Sequence, residues 1–408
     1  MKEAQENFEA SQVLEQCSTF TADALREGMA DADADYDIKC AKAQRLFILC
    51  QQIELDEAAL CAAYLCAFSP ISAEQLAKIK HHFSLSIADM VQGVAQMASI
   101  SGFSKASQGT VSDENLRKML IAMVNDVRVV LIKLADQVDR LRNIKNEPDE
   151  IKRETAQLTL DVYARLANRL GVWYLKWEME DYALRYLEPQ DYHHVAKELS
   201  EKRTVRETYI AEFIDQIEQK LSTAKLKAKV YGRPKHIYSI WRKMKLKGLS
   251  FNNILDIRAV RVLVDDIDQC YTALGLVHTA WPYLPGEFDD YIATPKPNGY
   301  QSIHTAVIGP DDKVVEVQIR THAMHAENEL GVAAHWRYKE NTGKDQSIDN
   351  KIQWLRQLLE WKDDLSADEG LATQFDSETE ETRIYVFTPK GRVIDLPNGA
   401  TAIDFAYA

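Results

Sequence analysis

The sequence predicts an α+β protein with an all-helical N-terminal region, a mixed-sheet domain after it, and the first strands of a further β-rich unit. Three observations carry this. Apolar residues recur at helical spacing from about residue 10 to 222, with few prolines or glycines to interrupt them. After Lys229 the pattern shortens to β-rich runs, ILDIRAVRVLV, HTAVIG and KVVEVQI, which alternate with helical stretches. An acidic stretch from Asp363 to Glu381 then precedes RIYVFTPKGRVIDLPNGATAIDFAYA, with turn signals at Pro389-Lys390-Gly391 and Pro397-Asn398-Gly399.

The expected boundaries are 1–195 for the helical domain, 196–342 for the mixed domain with its connecting helix, 343–382 for a helix and acidic linker, and 383–408 for the β-rich start. In the helical domain the clearest element is ANRLGVWYLKWEMEDYALRYL, whose Trp173, Leu175 and Trp177 cluster near Tyr182 and Leu184. The longer, more charged VRETYIAEFIDQIEQKLSTAKLKA is expected to connect two domains. Helices are expected at DQCYTALGLVHTAW and HAMHAENELGVAAHWRYK. The Pro310-Asp311-Asp312 break is short enough to join HTAVIG and KVVEVQI as an antiparallel hairpin. Parity then turns Val315, Val317 and Ile319 to the core and Glu316, Gln318 and Arg320 outward. KIQWLRQLLEW, at 351–361, reads as an amphipathic helix. The last unit is too short for a core of its own, so the natural chain is expected to continue beyond Ala408.

A length of 408 residues suits two or three cores, and 46% hydrophobic residues can fill them. A net charge of −13 argues against a protein that wraps nucleic acid with its whole surface, so any anion site is local and DNA is not an expected partner. There is no run of 18 or more apolar residues, and Met1 is followed by the polar KEAQENFEASQ. A cytoplasmic protein without a membrane partner is expected. The six cysteines include no CxxC pair and read as reduced, mostly buried thiols.

Two regions carry chemistry. Lys225 to Lys247 holds nine Lys or Arg and no acid, and Gly232, Arg233 and Lys235 cluster at a helix entrance, a favourable place for phosphate. The alternative is a solvated helix face, although such faces usually mix signs. The stretch from Gly286 to Thr321 pairs a loop carrying Glu287, Asp289, Asp290, Lys296, Asn298, Tyr300 and His304 with a strand whose polar side carries Glu316, Gln318 and Arg320, a mixture that suits a pocket for a charged, ring-bearing ligand with a metal. Asp256 at the leading end of ILDIRAVRVLV and Glu316 on another strand suit Mg²⁺ shared with phosphate oxygens. Each unscreened pair of phosphate charges at ~4 Å costs about 4 kcal/mol at an effective dielectric near 20, so basic residues and metal are both needed. Tyr300 offers a face for a base, or else packs as a loop tyrosine.

Together YGRPKHIYSIWRKM, DIRAVRV, PKPNGYQSIHT and EVQIRT resemble the synthetase domain of the RelA/SpoT family, the alarmone (p)ppGpp synthetases of the stringent response. The resemblance runs over essentially the whole chain. It implies a helical HD, or hydrolase-like, domain, a nucleotidyltransferase-like synthetase domain, and at IYVFTPKGRVIDLPNGAT the start of a TGS domain. The implied reaction moves the β,γ-pyrophosphate of ATP to the ribose 3′-hydroxyl of GDP or GTP, with Mg²⁺, and releases AMP. By motif position Asp256 and Glu316 are then the catalytic acids and metal ligands. Arg233 and Arg261 would sandwich the adenine, with Lys235, Ser239 and Lys243 on the ATP side. Lys296, Asn298, Tyr300 and His304 would line the GDP/GTP pocket. Asp256 and Arg261 are five apart, on opposite faces of an ideal strand, so Asp256 is expected to precede the strand proper.

The same resemblance locates departures. Where the family's hydrolases carry His-Asp followed by Glu-Asp, this chain has Cys66-Ala67 and Pro70-Ile71. Asp136 is retained, but Asp139-Arg140 replaces His-Asn. This implies a degenerate HD domain without hydrolase activity. Glu287-Phe288-Asp289-Asp290 has the acidic form of dedicated synthetases, which implies a preference for GDP over GTP. Further implied partners are the ribosome and uncharged tRNA, through C-terminal domains absent from this sequence. The competing readings are a catalytically silent nucleotide-binding or regulatory module, and a nucleotidyltransferase acting on nucleic acid, which the acceptor-side residues disfavour.

Overall fold

A computed structural model describes residues 2–25, 32–100, 126–201, 203–233, 235–251, 254, 257–296, 299–330, 383–387 and 393–397. They fall in two compact units, 1–111 with 117–344, and 112–116 with 345–408. The expected helix at 351–361, the acidic linker and the two C-terminal turns lie outside the described residues.

The first unit begins with helices α1 (Lys2–Phe20), α2 (Ala32–Gln52), α3 (Glu57–Cys66), α4 (Ala73–His82), α5 (Leu85–Ile100) and α6 (Val127–Asn143). α3 starts where the Asp56 carboxylate accepts the Ala59 N–H at 2.7 Å, and every residue from Ala59 to Cys66 is buried. A helix apolar on all sides belongs at the centre of its bundle. α7 (Asp149–Leu158) continues through a wide turn at Thr159–Ala164 into α8 (Arg165–Arg169), followed by α9 (Trp173–Leu187), α10 (Pro189–Glu201) and α11 (Arg203–Thr223).

The mixed domain contains β1 (Lys229–Gly232), α12 (Ile237–Lys247), β2 (Ala259–Val264), α13 (Ile267–Ala280), β3 (Tyr283–Asp290), β4 (Ile303–Ile308), β5 (Val314–Thr321) and α14 (His322–Leu330). The sheet order is β1-β2-β5-β4-β3, with β2 and β5 parallel and the other pairs antiparallel. β4 and β5 form the expected hairpin. One face carries Val230, Val260, Val262, Val264, Val317, Ile319, Ile303 and Val307, packed on Tyr209, Phe213, Ile217 and Leu221 of α11 and Cys270, Ala273 and Val277 of α13. α11 therefore does more than connect, because its apolar stripe closes the sheet's core. Gly232 permits that approach: a Cβ there would stand 2.9 Å from the Ile210 methyl.

The other face is polar, and its register sets Tyr231, Arg261, Gln318, His304 and Asp289 in one row across the five strands. The parity expected for β5 is observed, but the outward positions do not meet solvent: Gln318 is 0% and Arg320 1% exposed. β5 is the middle strand, and its Arg320 lines a cavity together with residues of α9 and α14. β3, the edge strand, is mostly exposed and irregular between Tyr283 and Phe288. Charge and irregularity both discourage further pairing at such an edge.

In the second unit β6 (Arg383–Phe387) and β7 (Val393–Pro397) form an antiparallel hairpin. No helix among the described residues is long and apolar enough to cross a membrane.

Candidate active site

The basic segment enters the site along the end of β1, where the Arg233 N–H donates to Ala259 O at 2.8 Å, and turns at Lys235 and His236 into α12. The N-terminus of α12, which the sequence offers to phosphate, is occupied by a carboxylate of the helical domain. Asp181 on α9 accepts the Tyr238 N–H at 2.8 Å and lies 3.3 Å from His236 Nδ1. Asp191 on α10 accepts Trp241 Nε1–H at 2.8 Å and pairs with Lys245 at 3.1 Å. Acids that the segment itself lacks are thus supplied by the neighbouring helices.

A cavity of about 150 Å³ is lined by Trp173, Trp177, Arg233, Arg261, Lys296, Tyr300, His304, Arg320, Asn328 and Glu329. Four of these residues are Lys or Arg, and Glu329 is the one carboxylate among them. Its Oε1 is held by Arg261 at 2.9 Å. The wall is therefore cationic, with aromatic faces set into it. The Arg233 guanidinium lies 5.2 Å from the Trp177 ring, and Trp173 meets Tyr300 edge-on at 6.0 Å. The Tyr300 hydroxyl donates to His304 Nε2 at 2.7 Å in the neutral tautomer that places Nδ1–H toward Glu316, 3.5 Å away. Gln318 Nε2–H donates to the same Glu316 oxygen at 2.8 Å.

Burial alone would raise the Glu316 carboxyl pKa, but His304, Lys235, the Gln318 hydrogen bond and Arg233 together hold it below the ordinary value. Burial pushes Lys235 down to about 7 against the attraction of Glu316, and the charges of Lys243 and Arg233 push the same way. His304 is driven down to about 4, again mainly by burial, and is neutral at pH 7. An ionised carboxylate thus sits beside a neutral imidazole and an ammonium poised to lose its proton.

Of the residues named from sequence, Arg233, Arg261, Lys296, Tyr300 and His304 meet on the cavity wall, with Glu316 behind His304. Glu316 pairs with Ala259 at the start of β2, and its N–H donates to Arg258 O at 2.9 Å. Ser239 and Lys243 lie one turn apart on α12, off the cavity wall. Asp256 and Asn298 lie outside the described residues, although β2 does begin after position 256. Glu287, Asp289 and Asp290 belong to strand β3 rather than a loop and do not line the cavity. Asp290 accepts from the Tyr271 hydroxyl and the N–H groups of Ile292 and Ala293, each at 3.0 Å. Sequence reasoning placed Arg320 on the polar side of the pocket strand without giving it a role, and it missed Trp173, Trp177, Asp181, Asn328 and Glu329. The tryptophans had a signal, being four apart on a helix, but aromatics at that spacing usually pack in a core.

In the helical domain Asp136 is held by two ammonium groups, Lys42 Nζ at 2.7 Å and Lys133 Nζ at 2.6 Å. Burial would raise its carboxyl, but Lys133 and Lys42 bring it down to about 2. Cys66 packs near this cluster as a thiol whose pKa is raised by burial and by Asp136. Asp139 accepts from Arg45 Nε at 2.6 Å.

Three families match in series along the chain: an HD domain over residues 22–173, the region found in RelA/SpoT proteins over 232–343, and a TGS domain over 384–408. A GTP pyrophosphokinase of Photobacterium angustum is 50% identical over 335 residues, covering 81% of this chain and 45% of that protein. The GTP pyrophosphokinase of Escherichia coli is 49% identical over 328 residues, 79% of this chain and 44% of its own length. A Synechocystis protein named as a guanosine-3′,5′-bis(diphosphate) 3′-pyrophosphohydrolase is 41% identical, covering 86% of this chain and 47% of that protein. The chain spans about half the length of these relatives. It belongs to the RelA/SpoT family and is closely related to the family's GTP pyrophosphokinases.

Proposed function

We propose that the chain transfers the β,γ-pyrophosphate of ATP to the ribose 3′-hydroxyl of GDP or GTP and releases AMP. The observation that carries this reading is the cationic, aromatic-lined cavity joined through His304 to an ionised Glu316. Nucleotides offer the matching parts: flat bases for the rings, and phosphates for Arg233, Arg261, Lys296 and Arg320.

In the proposed reaction the 3′-oxygen attacks the β-phosphorus of ATP. The bond from that phosphorus to the oxygen bridging it to the α-phosphorus breaks, and AMP leaves with the bond's electrons. Glu316 accepts the hydrogen bond of the attacking hydroxyl and passes its proton on to solvent. A carboxylate held below its ordinary pKa is a weak base, so the acceleration comes chiefly from alignment and from charge placed before the reaction starts. Tyr300 stacks on guanine, and its bond to His304 ties the position of that base to Glu316. Lys235 and the arginines neutralise the transferred group.

Mg²⁺, when bound, would offset charge on the pyrophosphate. The residues fit such an ion, which takes one or two carboxylates and completes its shell with phosphate and water. Gln318 donates to Oε1 of Glu316, and His304 Nδ1 lies 3.5 Å from the same oxygen. Asp256 would supply the second carboxylate by its motif position.

The HD domain is proposed to lack hydrolase activity. The support is Asp136, whose two oxygens are engaged by Lys42 and Lys133 where a metal ligand would need them. The acidic Glu287 to Asp290 run is proposed to bias the acceptor toward GDP through its charge. The test is direct: purified chain, Mg²⁺, labelled ATP and GDP or GTP, with AMP and the 3′-pyrophosphorylated nucleotide as products. Incubation of ppGpp with Mn²⁺ should release no pyrophosphate.

A further inference from the structure

Arg320 is among the largest fully buried side chains described, at 1% exposure, yet no hydrogen bond or ion pair from a described residue reaches its guanidinium. Its Nε is a buried donor without an acceptor. The Tyr300 ring lies 5.9 Å away, and a ring face cannot satisfy five N–H donors in a planar fork. Nearby charges make its situation worse. Arg261 and Arg233 repel it, and Glu329, the carboxylate that attracts it, already holds Arg261 at 2.9 Å. Burial and these cations pull its pKa down to about 10, still charged at neutral pH.

A buried guanidinium without a counterion is costly, and proteins keep such groups where an anion arrives to complete them. Arg320 lines the cavity, so the anion can come from there. The fork geometry favours two oxygens of one planar or tetrahedral oxyanion, which is how arginine recognises phosphate.

We infer that Arg320 is an anion anchor of the cavity, held unpaired at the expense of the free protein's stability, and that it binds oxygens of a polyphosphate. This rests on the pyrophosphate-transfer reading only for the identity of the anion. The inference joins two consequences that a structural arginine would not share. Removing the charge should stabilise the free chain, and the same change should weaken its binding of the anion.

The test uses the whole chain in phosphate-free buffer without divalent metal, with inorganic pyrophosphate as the probe, read by calorimetric titration and thermal melting. Pyrophosphate should bind the parent and raise its Tm. Arg320→Met should melt above the parent without ligand and bind pyrophosphate about tenfold more weakly or worse, the factor expected for a lost bidentate charged contact. Arg320→Lys keeps a point charge without the fork. It should fold and bind with intermediate affinity; an Arg320→Met chain that does not fold counts against the anchor in the same way as one that melts below the parent. Parent-like affinity in the variants, an Arg320→Met chain that melts below the parent, or a parent that does not bind pyrophosphate would overturn the anchor. GDP and a non-hydrolysable ATP analogue, titrated in parallel, tell which nucleotide's phosphates reach it: the one whose affinity falls in Arg320→Met. AMP formation by the parent is scored separately, so failure of the anchor and failure of the transferase reading are distinguishable.

Discussion

Binding of a polyphosphate should draw a proton onto Lys235. In the free chain burial holds this amine near 7 rather than its ordinary 10.5, and Lys243 and Arg233 add to the effect against the attraction of Glu316. A triphosphate placed against it reverses the balance and restores the charged form. At pH 8 about nine in ten free molecules carry neutral Lys235, so binding should take up about 0.9 proton. The affinity for a non-hydrolysable ATP analogue should fall roughly twentyfold between pH 7.5 and 9, where the phosphates are already ionised. Titration calorimetry at pH 8 in two buffers of different ionisation enthalpy reads the uptake directly. Lys235→Arg, which cannot lose its charge, should bind with no uptake and no such slope. Equal heats in both buffers for the parent, or an unchanged slope in Lys235→Arg, would refute the argument. The sign for folding follows from the same depression: between pH 7 and 10.5 the unfolded chain binds more protons at this site, so its contribution makes stability rise with pH.

Three further outcomes are expected. Tyr300→Ala should raise the KM for GDP about tenfold, within the ~1–3 kcal/mol of a base–aromatic stack, and leave the KM for ATP nearly unchanged; a change confined to ATP would contradict its placement. Trp177→Ala removes the ring lying over Arg233, so steady-state assays should show a lower KM for ATP, and a higher one would mean that the indole itself holds the donor nucleotide. Asp136→Asn leaves Lys42 and Lys133 without their counterion and should cost about 3 kcal/mol in denaturant unfolding, whereas an equal or more stable variant would mark the cluster as a vacant metal site. In the parent, a folded-state carboxyl near 2 gives stability that is present above about pH 4 and is lost as pH falls through 2.

The fold was legible where local pattern and tertiary role agree. The alternation Val315, Val317, Ile319 does point into the core, and the short break before Lys313 does make a hairpin. What parity could not say is what covers the opposite face. Gln318 and Arg320 face away from the apolar core, yet both are buried, and Arg320 shares a cavity with residues of α9 and α14. α11 illustrates the same limit from the other side: its charged residues suggest a spanning helix, while Tyr209, Phe213, Ile217 and Leu221 make it part of the core.

The site divides likewise. Arg233, Arg261, Lys296, Tyr300, His304 and Glu316 lie in short motifs, and the family resemblance of those motifs implied their roles. Trp177 and Asp181 are more than fifty residues before the groups they touch, and no local pattern announces a carboxylate that caps a helix in another domain. Glu287 to Asp290 stood out by charge alone. They lie on a mostly exposed edge strand and do not line the cavity, although Asp289 is the register partner of the cavity residue His304.

The central claim is that Glu316, ionised and tied through His304 to the cavity, serves pyrophosphate transfer. Its most direct test compares the parent with Glu316→Gln for AMP formation from ATP and GDP with Mg²⁺, alongside GDP affinity by titration. The parent should form AMP and a pyrophosphorylated guanine nucleotide, and Glu316→Gln should lose at least about a hundredfold in kcat while retaining GDP binding. A parent that forms no AMP, or a Glu316→Gln chain that turns over at the parent's rate, would contradict that claim.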